Sequence, residues 1–287
     1  MKKVFAILCH QITNPLIYTI EYFSSIEGNI ILLHVDAKAD IKDFLFLEKN
    51  NVLIIKERVA VNWGEFSQIK ATLNLFEEAA LHCPDFTFLL SGDDVPIKSD
   101  KNINKILSDN NLKNLIHYQD VRSNYVDPMD RVGYRYPKFF FKKENKLLRK
   151  IFNLFKFFFK NKELLINKCP KLYKGTSWIG VNHATLNYIL NFVKTNTWYE
   201  KIFKQSFCAD EIFFHTIIKE NPKLENYSNK SLRSDALRYI DWETGPEYPR
   251  LLNETDFLKI TNSNMIFARK FSKDVSFSFM KSFIQED

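Results

Sequence analysis

"FTFLLSGDD", residues 86–94, is an apolar run that stops abruptly at two adjacent aspartates. It lacks the strict polar–apolar alternation of a half-solvated strand, so it reads as a strand covered on both faces. "VFAILCH" (4–10), "NIILLHVD" (29–36) and "NVLIIKE" (51–57) share that pattern. Helical periodicity fills the gaps, for example "SQIKATLNLFEEAALH" from Ser67 to His82. The first half therefore reads as repeated strand–helix–strand units, and the expected fold is α/β with a mostly parallel, doubly wound sheet. In such sheets ligands bind outside the carboxyl ends of the strands. Three of those ends turn polar as the apolar run stops: His10 with Gln11, Asp36, and Asp93 with Asp94. They are expected to converge on one crevice, although each alone could equally be a turn residue or a helix cap.

The chain has 287 residues, 45% of them hydrophobic, enough to bury a large core. No Gly-, Ser- or Pro-rich tract divides it, so a single domain over 1–287 is expected, residues 1–120 forming one half and 121–287 the other. The four cysteines, Cys9, Cys83, Cys169 and Cys208, are scattered without CxxC or zinc spacing, which argues against a structural metal or a disulfide framework. "MKKVFAILCHQ" mimics a signal peptide, but its apolar run is too short and no small-residue cleavage site follows. No uninterrupted run approaches the roughly 18 apolar residues of a membrane span. A soluble or peripheral protein of a reducing cytosol is expected.

The net charge of +7 has one source. Residues 138–168, "KFFFKKENKLLRKIFNLFKFFFKNKELLINK", carry ten Lys or Arg against two Glu, a local excess of eight, which leaves the remainder near neutral. Leu147, Leu148, Ile151, Phe152, Phe155, Phe158 and Phe159 recur at three- and four-residue spacing. Lys146, Arg149, Lys150, Lys156 and Lys160 occupy other positions, as in a basic amphipathic helix. Such a helix either lies on an anionic membrane or packs its apolar stripe on the core with a solvated lysine face. Nucleic acid is not expected, because no recognition motif accompanies the charge.

"ILLHVDAKAD", "VNWGEFSQIKATLNLFEEA", "FLLSGDDVPIKS", "KGTSWIGVNHATLNYIL", "CADEIFFHTII", "LRYIDWETGPEYPRLL" and "NMIFARKFS" follow one another along the chain. In that order they resemble the successive blocks of the core-2/I-branching β-1,6-N-acetylglucosaminyltransferase family, which also includes peptide O-xylosyltransferases. The resemblance runs from about residue 3 to residue 275 and is weakest over the basic Phe-rich segment. It implies an inverting, nucleotide-sugar-dependent glycosyltransferase of the GT-A type on a Rossmann-like sheet, the first half binding the donor and the second the acceptor. It also implies no cofactor and no divalent metal. "GDD" fits that expectation, since adjacent carboxylates on an extended chain point in opposite directions and are poorly placed to clasp one ion.

Residue by residue, the resemblance places Asp94 at the donor nucleotide and leaves Asp93 to cap the turn; His10 and Asp36, the polar ends of the first two strands, are expected beside it on the donor. Arg250 in "EYPRLL" and Lys270 in "FARKFS" would neutralise the leaving diphosphate in place of a metal, with Arg269 an adjacent competitor for the second position. Glu211 in "CADEIFFHTII" matches the catalytic base. Asp210 beside it either raises the basicity of Glu211 by repulsion or caps the following helix. Trp242 matches an acceptor-site aromatic, Trp178 borders the donor sugar, and Trp63 is expected as support beneath the nucleotide site.

The implied reaction moves N-acetylglucosamine or xylose from a UDP-sugar to a hydroxyl of a glycan or lipid-linked glycan, in surface polysaccharide or lipopolysaccharide synthesis. The chain differs from the membrane-anchored animal members in starting directly at the catalytic domain, so a bacterial enzyme, cytoplasmic or peripheral at the inner membrane face, is expected. A non-catalytic nucleotide- or membrane-binding module on the same fold is the competing reading. Retention of a base together with two leaving-group cations favours the catalyst.

Overall fold

The computed structural model describes residues 1–142, 144–167, 169–245 and 249–284. Lys143 and Lys168 of the basic segment, and residues 246–248 of the "LRYIDWETGPEYPRLL" block, lie outside the described residues. The central sheet has five strands: β1 (Lys3–Cys9), β2 (Asn29–Val35), β3 (Val52–Ile54), β4 (Phe86–Ser91) and β6 (Gly180–Asn182), in the order β3-β2-β1-β4-β6. The first four are parallel and β6 runs antiparallel beside β4. A smaller sheet joins β5 (Val95–Pro96), β8 (Phe267–Arg269) and β7 (Arg238–Ile240) in the order β5-β8-β7.

The four expected apolar runs are thus the four parallel strands, though β3 pairs over only three residues. Their continuous hydrophobicity has a physical cause, because successive side chains of one strand enter two different cores. Phe5 and Ile7 of β1 meet Leu16, Ile20 and Phe23 of the helix Asn14–Ser24 on one face. Val4 and Ala6 meet Ile69, Leu73 and Phe76 of the helix Phe66–Leu81 on the other. Phe5 stacks on Phe23 with ring centroids 3.7 Å apart, and Phe88 packs edge-on against Phe267 at 5.2 Å, which fixes the small sheet to the large one. Each fully buried phenylalanine contributes about 1.5–3 kcal/mol relative to exposure.

The turns at the carboxyl end of the sheet are tied together before any ligand is considered. Thr13 caps the first helix by accepting from Leu16 N at 3.1 Å, while its hydroxyl donates to Gly92 O at 2.7 Å. Thr19 of the same helix donates to Asp94 O at 2.8 Å. The turn after β4 is therefore held by the helix after β1. The basic segment is divided between a 3-10 turn at Lys138–Phe141, the helix Lys146–Phe155, a second 3-10 turn at Lys156–Phe159 and a short helix at Lys162–Ile166. Among the described residues no helix is long and apolar enough to cross a membrane.

Candidate active site

A crevice opens at the carboxyl ends of the parallel strands. It is lined by Cys9, His10 and Gln11 after β1, His34 and Asp36 at the end of β2, Ser91, Gly92 and Asp93 after β4, Gln68, Trp178, and Arg269 with Lys270 after β8. The three polar strand ends do converge, as the doubly wound topology requires. Asp36 is buried at this end and accepts from Lys38 N at 2.8 Å, its own amide reaching Cys9 O at 2.8 Å. His34 Nε2 accepts from Val59 N at 2.9 Å, and burial lowers its pKa, so the ring is a neutral wall at pH 7.

Asp94 lies beneath the crevice, fully buried. Its carboxylate pairs with Arg238 Nη1, lies 3.5 Å from Arg269 Nε, and accepts from Ser91 N at 2.7 Å. Arg238 is buried too, its guanidinium over the Phe267 ring and its Nη2 donating to Leu89 O at 3.1 Å. Arg269 is held from several sides: Asp94 below, Ser91 Oγ at 3.3 Å, and the face of Trp178 with Cζ 4.4 Å from the ring centroid. Burial pushes Arg269 down to about 10, which leaves it charged at neutral pH. Asp94 is thus an internal anchor that aims a cation into the crevice.

Lys270 is the second cation of the lining; its Nζ sits 3.3 Å from Asp93 Oδ2 with the side chain 40% exposed. Asp93 therefore faces a lysine at the crevice mouth. The helix that starts beside the crevice has few amides to offer an anion. Asn14 N donates to Lys273 O, Pro15 has no N–H, Leu16 N donates to Thr13 Oγ1, and Ile17 N already serves the first helical turn. Negative charge in this crevice consequently depends on Arg269 and Lys270 rather than on a helix terminus.

Arg250 and Trp242 lie outside the crevice lining. Arg250 Nε donates to Asp241 Oδ2 at 3.2 Å and its Nη2 pairs with Asp256, while the backbone of Leu252 bonds to Lys270 O at 2.7 Å. Arg250 is thus engaged by two carboxylates, and the residue two positions on is hydrogen-bonded to the Lys270 backbone. Trp242 follows β7 and is 54% exposed. Trp63 is exposed as well and packs edge-on against Phe207 with centroids 5.5 Å apart, so it lies at the surface and not beneath a nucleotide site.

Glu211 stands in the first turn of the helix Asp210–Glu220, its Oε2 2.9 Å from Lys174 Nζ. The loop 174–178 connects it to the crevice. Gly175 N donates to Glu211 O at 2.8 Å, the Ser177 hydroxyl donates to Asp210, and Trp178 closes the crevice wall under Arg269. Position 175 admits only glycine, since a Cβ there would fall 2.0 Å from His117 O and 2.4 Å from the His215 ring. Asp210 does not cap its helix with its side chain. It is buried, accepting from Ser177 and, at 2.9 Å, from Gln68 Nε2, a residue of the crevice lining. Burial and then the charge of Glu211 push its carboxyl up to about 6. Of the two carboxylates Asp210 is the buried one and Glu211 the partly exposed one.

Lys174, Gln68, Arg238 and Ser177 carry this arrangement without having been singled out by their residue types. Lys174, Ser177 and Gln68 sit inside "KGTSW" and "NWGEFSQ", but their partners are far away in sequence: Glu211 for the first and Asp210 for the other two. Arg238 precedes "YIDW" as an ordinary cation of a basic chain, and only its burial against Asp94 distinguishes it.

An α/β fold of this kind, with cations at the carboxyl end of a mostly parallel sheet and a carboxylate on an adjoining helix, has a GT-A-like architecture. The chain matches the core-2/I-branching enzyme family over residues 4–264 and belongs to that family of glycosyltransferases. It is also similar to two Arabidopsis thaliana proteins, Beta-glucuronosyltransferase GlcAT14A (32% identical over 109 residues) and Beta-glucuronosyltransferase GlcAT14B (30% over 109 residues). These matches take in 36% of this chain but only 23% and 24% of the two plant proteins, so the matched stretch spans about a quarter of their length.

Proposed function

We propose that this protein transfers a sugar from a UDP-sugar to a hydroxyl of a glycan acceptor, with inversion at the anomeric carbon and without a divalent metal. The observation that carries the reading is the continuity of the 174–178 loop. It links a partly exposed carboxylate, Glu211, to a crevice whose two cations, Arg269 and Lys270, stand at the carboxyl ends of the strands, where sheets of this topology bind ligands.

In this mechanism the acceptor hydroxyl attacks the anomeric carbon from the face opposite the diphosphate. The new C–O bond forms as the bond to the β-phosphate breaks, and the hydroxyl proton passes to Glu211. Negative charge grows on the departing diphosphate, where Lys270 and Arg269 receive it. Arg269 is held in place from three directions and so supplies its charge with little reorganisation; Lys270, paired with Asp93, is the more exposed partner. His10 and Asp36 contact the nucleoside side of the donor, and Asp94 acts through Arg269. Arg250, held by Asp241 and Asp256 and linked to Lys270 through the Leu252 backbone, steadies the segment that carries the cation and acts on the diphosphate through it. Trp178 borders the donor sugar and Trp242 offers an exposed aromatic face to the acceptor. N-acetylglucosamine and xylose are the donor sugars implied by the motif blocks, and glucuronic acid joins them through the names of the two plant relatives. Synthesis of surface polysaccharide is the setting proposed.

The reading is tested by following UDP release from a UDP-sugar in the presence of acceptor. Lys270→Ala is expected to lower kcat by on the order of 10²-fold, the usual cost of removing one group that stabilises a developing anion. An unchanged kcat would remove Lys270 from the leaving-group site.

A further inference from the structure

The helix Lys146–Phe155 turns its apolar face away from the protein. Leu147, Leu148, Ile151, Leu154 and Phe155 are all exposed, Leu154 at 73%. Phe157, Phe158 and Phe159 in the next turn, and Leu165 and Ile166 in the short helix beyond, are exposed as well, Phe158 at 72% and Leu165 at 78%. Of the helix's apolar residues, Phe152 alone is buried, against Tyr136 and Phe140 at centroid distances of 5.3 and 5.2 Å. At 3.6 residues per turn, positions 147, 151 and 154 share one side with 148 and 155 next to them, while Arg149, Asn153 and Lys146 fall opposite and Lys150 flanks the stripe beside Leu154. Lys146 and Lys150 are solvated as on an ordinary surface helix, but such a helix buries its apolar stripe and this one exposes it.

The segment is nevertheless fixed to the body. Arg149 Nε donates to Phe140 O at 2.6 Å, Lys156 pairs with Asp130 at 2.7 Å, and the Asn161 amide donates to Val132 O at 2.8 Å and Ile202 O at 2.7 Å. Phe140 packs on Phe207 at 5.1 Å, and Phe207 lies three residues before Asp210 in the chain. An apolar display of this extent, held rigidly in water, marks an interaction surface.

We propose that residues 146–166 form a docking face for a lipid bilayer with anionic headgroups. Charge complementarity selects that occupant. The segment 138–168 carries an excess of eight positive charges and the rest of the chain is close to neutral, so the charge is concentrated in the same stretch of chain as the apolar face. Leucine and phenylalanine side chains enter the boundary between headgroups and acyl chains, while the lysine stems extend so that their ammonium groups stay among the phosphates. A second copy of the chain is a poor occupant, because a two-fold contact through this face would bring the same positive charge against itself. On the reading of Glu211 given above, docking sets the transfer centre near the bilayer surface, where a lipid-linked acceptor lies in reach. The docking is read without turnover, so its failure leaves the transfer reading standing and the failure of transfer leaves docking standing.

The test is co-sedimentation of the full chain with vesicles of phosphatidylcholine alone and of phosphatidylcholine mixed with phosphatidylglycerol, repeated with the double variant Leu154→Glu, Phe158→Glu. Both side chains are exposed, so the variant is expected to keep the wild-type melting temperature. The expected result is binding to the anionic vesicles, little to the neutral ones, and a loss on the order of 10²-fold or more in partitioning for the variant. Absence of binding by the wild-type chain, or equal binding by the variant, overturns the proposal. So does self-association in solution that the two substitutions abolish while vesicle binding stays absent, which would assign the face to a second copy.

Discussion

Glu211→Gln is expected to lower transfer by about 10²- to 10⁴-fold, the range that a positioned general base supplies, while UDP binding stays close to that of the wild type. Glutamine keeps the size of the side chain and removes only its ability to accept a proton from the acceptor hydroxyl. The pair with Lys174, 2.9 Å away, is largely buried, with Lys174 13% and Glu211 27% exposed, but the amide oxygen of glutamine can still accept from Lys174 Nζ, so the lysine keeps a hydrogen-bond partner. The donor crevice is untouched, since Arg269, Lys270 and Trp178 reach Glu211 only through the 174–178 loop. The split between chemistry and binding is therefore the signature. The measurement is single-turnover transfer beside UDP titration for the same variant. Transfer that survives within roughly tenfold would disqualify Glu211 as the base and point to the buried neighbour Asp210.

Asp94→Ala is expected to have the largest effect on folding. The substitution leaves Arg238, buried over the Phe267 ring, without its carboxylate, and removes the anchor of Arg269. Removing one member of a buried ion pair typically costs about 3–5 kcal/mol, because the remaining charge stays desolvated. Against total stabilities of about 5–15 kcal/mol for a folded domain, that is a shift visible in any denaturant titration. If Asp94 instead served only as a nucleotide contact, unfolding would be nearly unchanged and the donor KM alone would rise. The denaturation midpoint and the donor KM of the one variant separate the two roles.

The parallel sheet was legible because its physical cause is local. Strands buried on both faces must be apolar throughout, and the runs at 4–10, 29–36, 51–57 and 86–94 are. β6, β7 and β8 were not legible, since three residues carry no period and their pairing joins positions far apart, as Arg238 with Phe267. The crevice followed from topology, which places His10, Asp36 and Asp93 together. The fate of individual charges did not follow, because burial and pairing across the chain decide it. Asp94 is sealed between two arginines, Arg250 is engaged by Asp241 and Asp256, and Arg269 stands in the crevice beside Lys270. The basic segment teaches the same lesson. Its periodicity marked an amphipathic helix, yet an apolar stripe has the same spacing whether it faces core or solvent, and only Phe152 turned inward.

Side-chain cations, not a metal ion, are proposed to take up the charge of a departing nucleoside diphosphate. This is tested most directly by UDP release across UDP-N-acetylglucosamine, UDP-xylose and UDP-glucuronic acid, each with EDTA and again with manganese. Release from one of these donors at the same rate under both conditions is the predicted result, and it also names the sugar. Release that requires manganese would contradict the claim, turning the aspartates after β4 into a metal site and removing Arg269 and Lys270 from the leaving group.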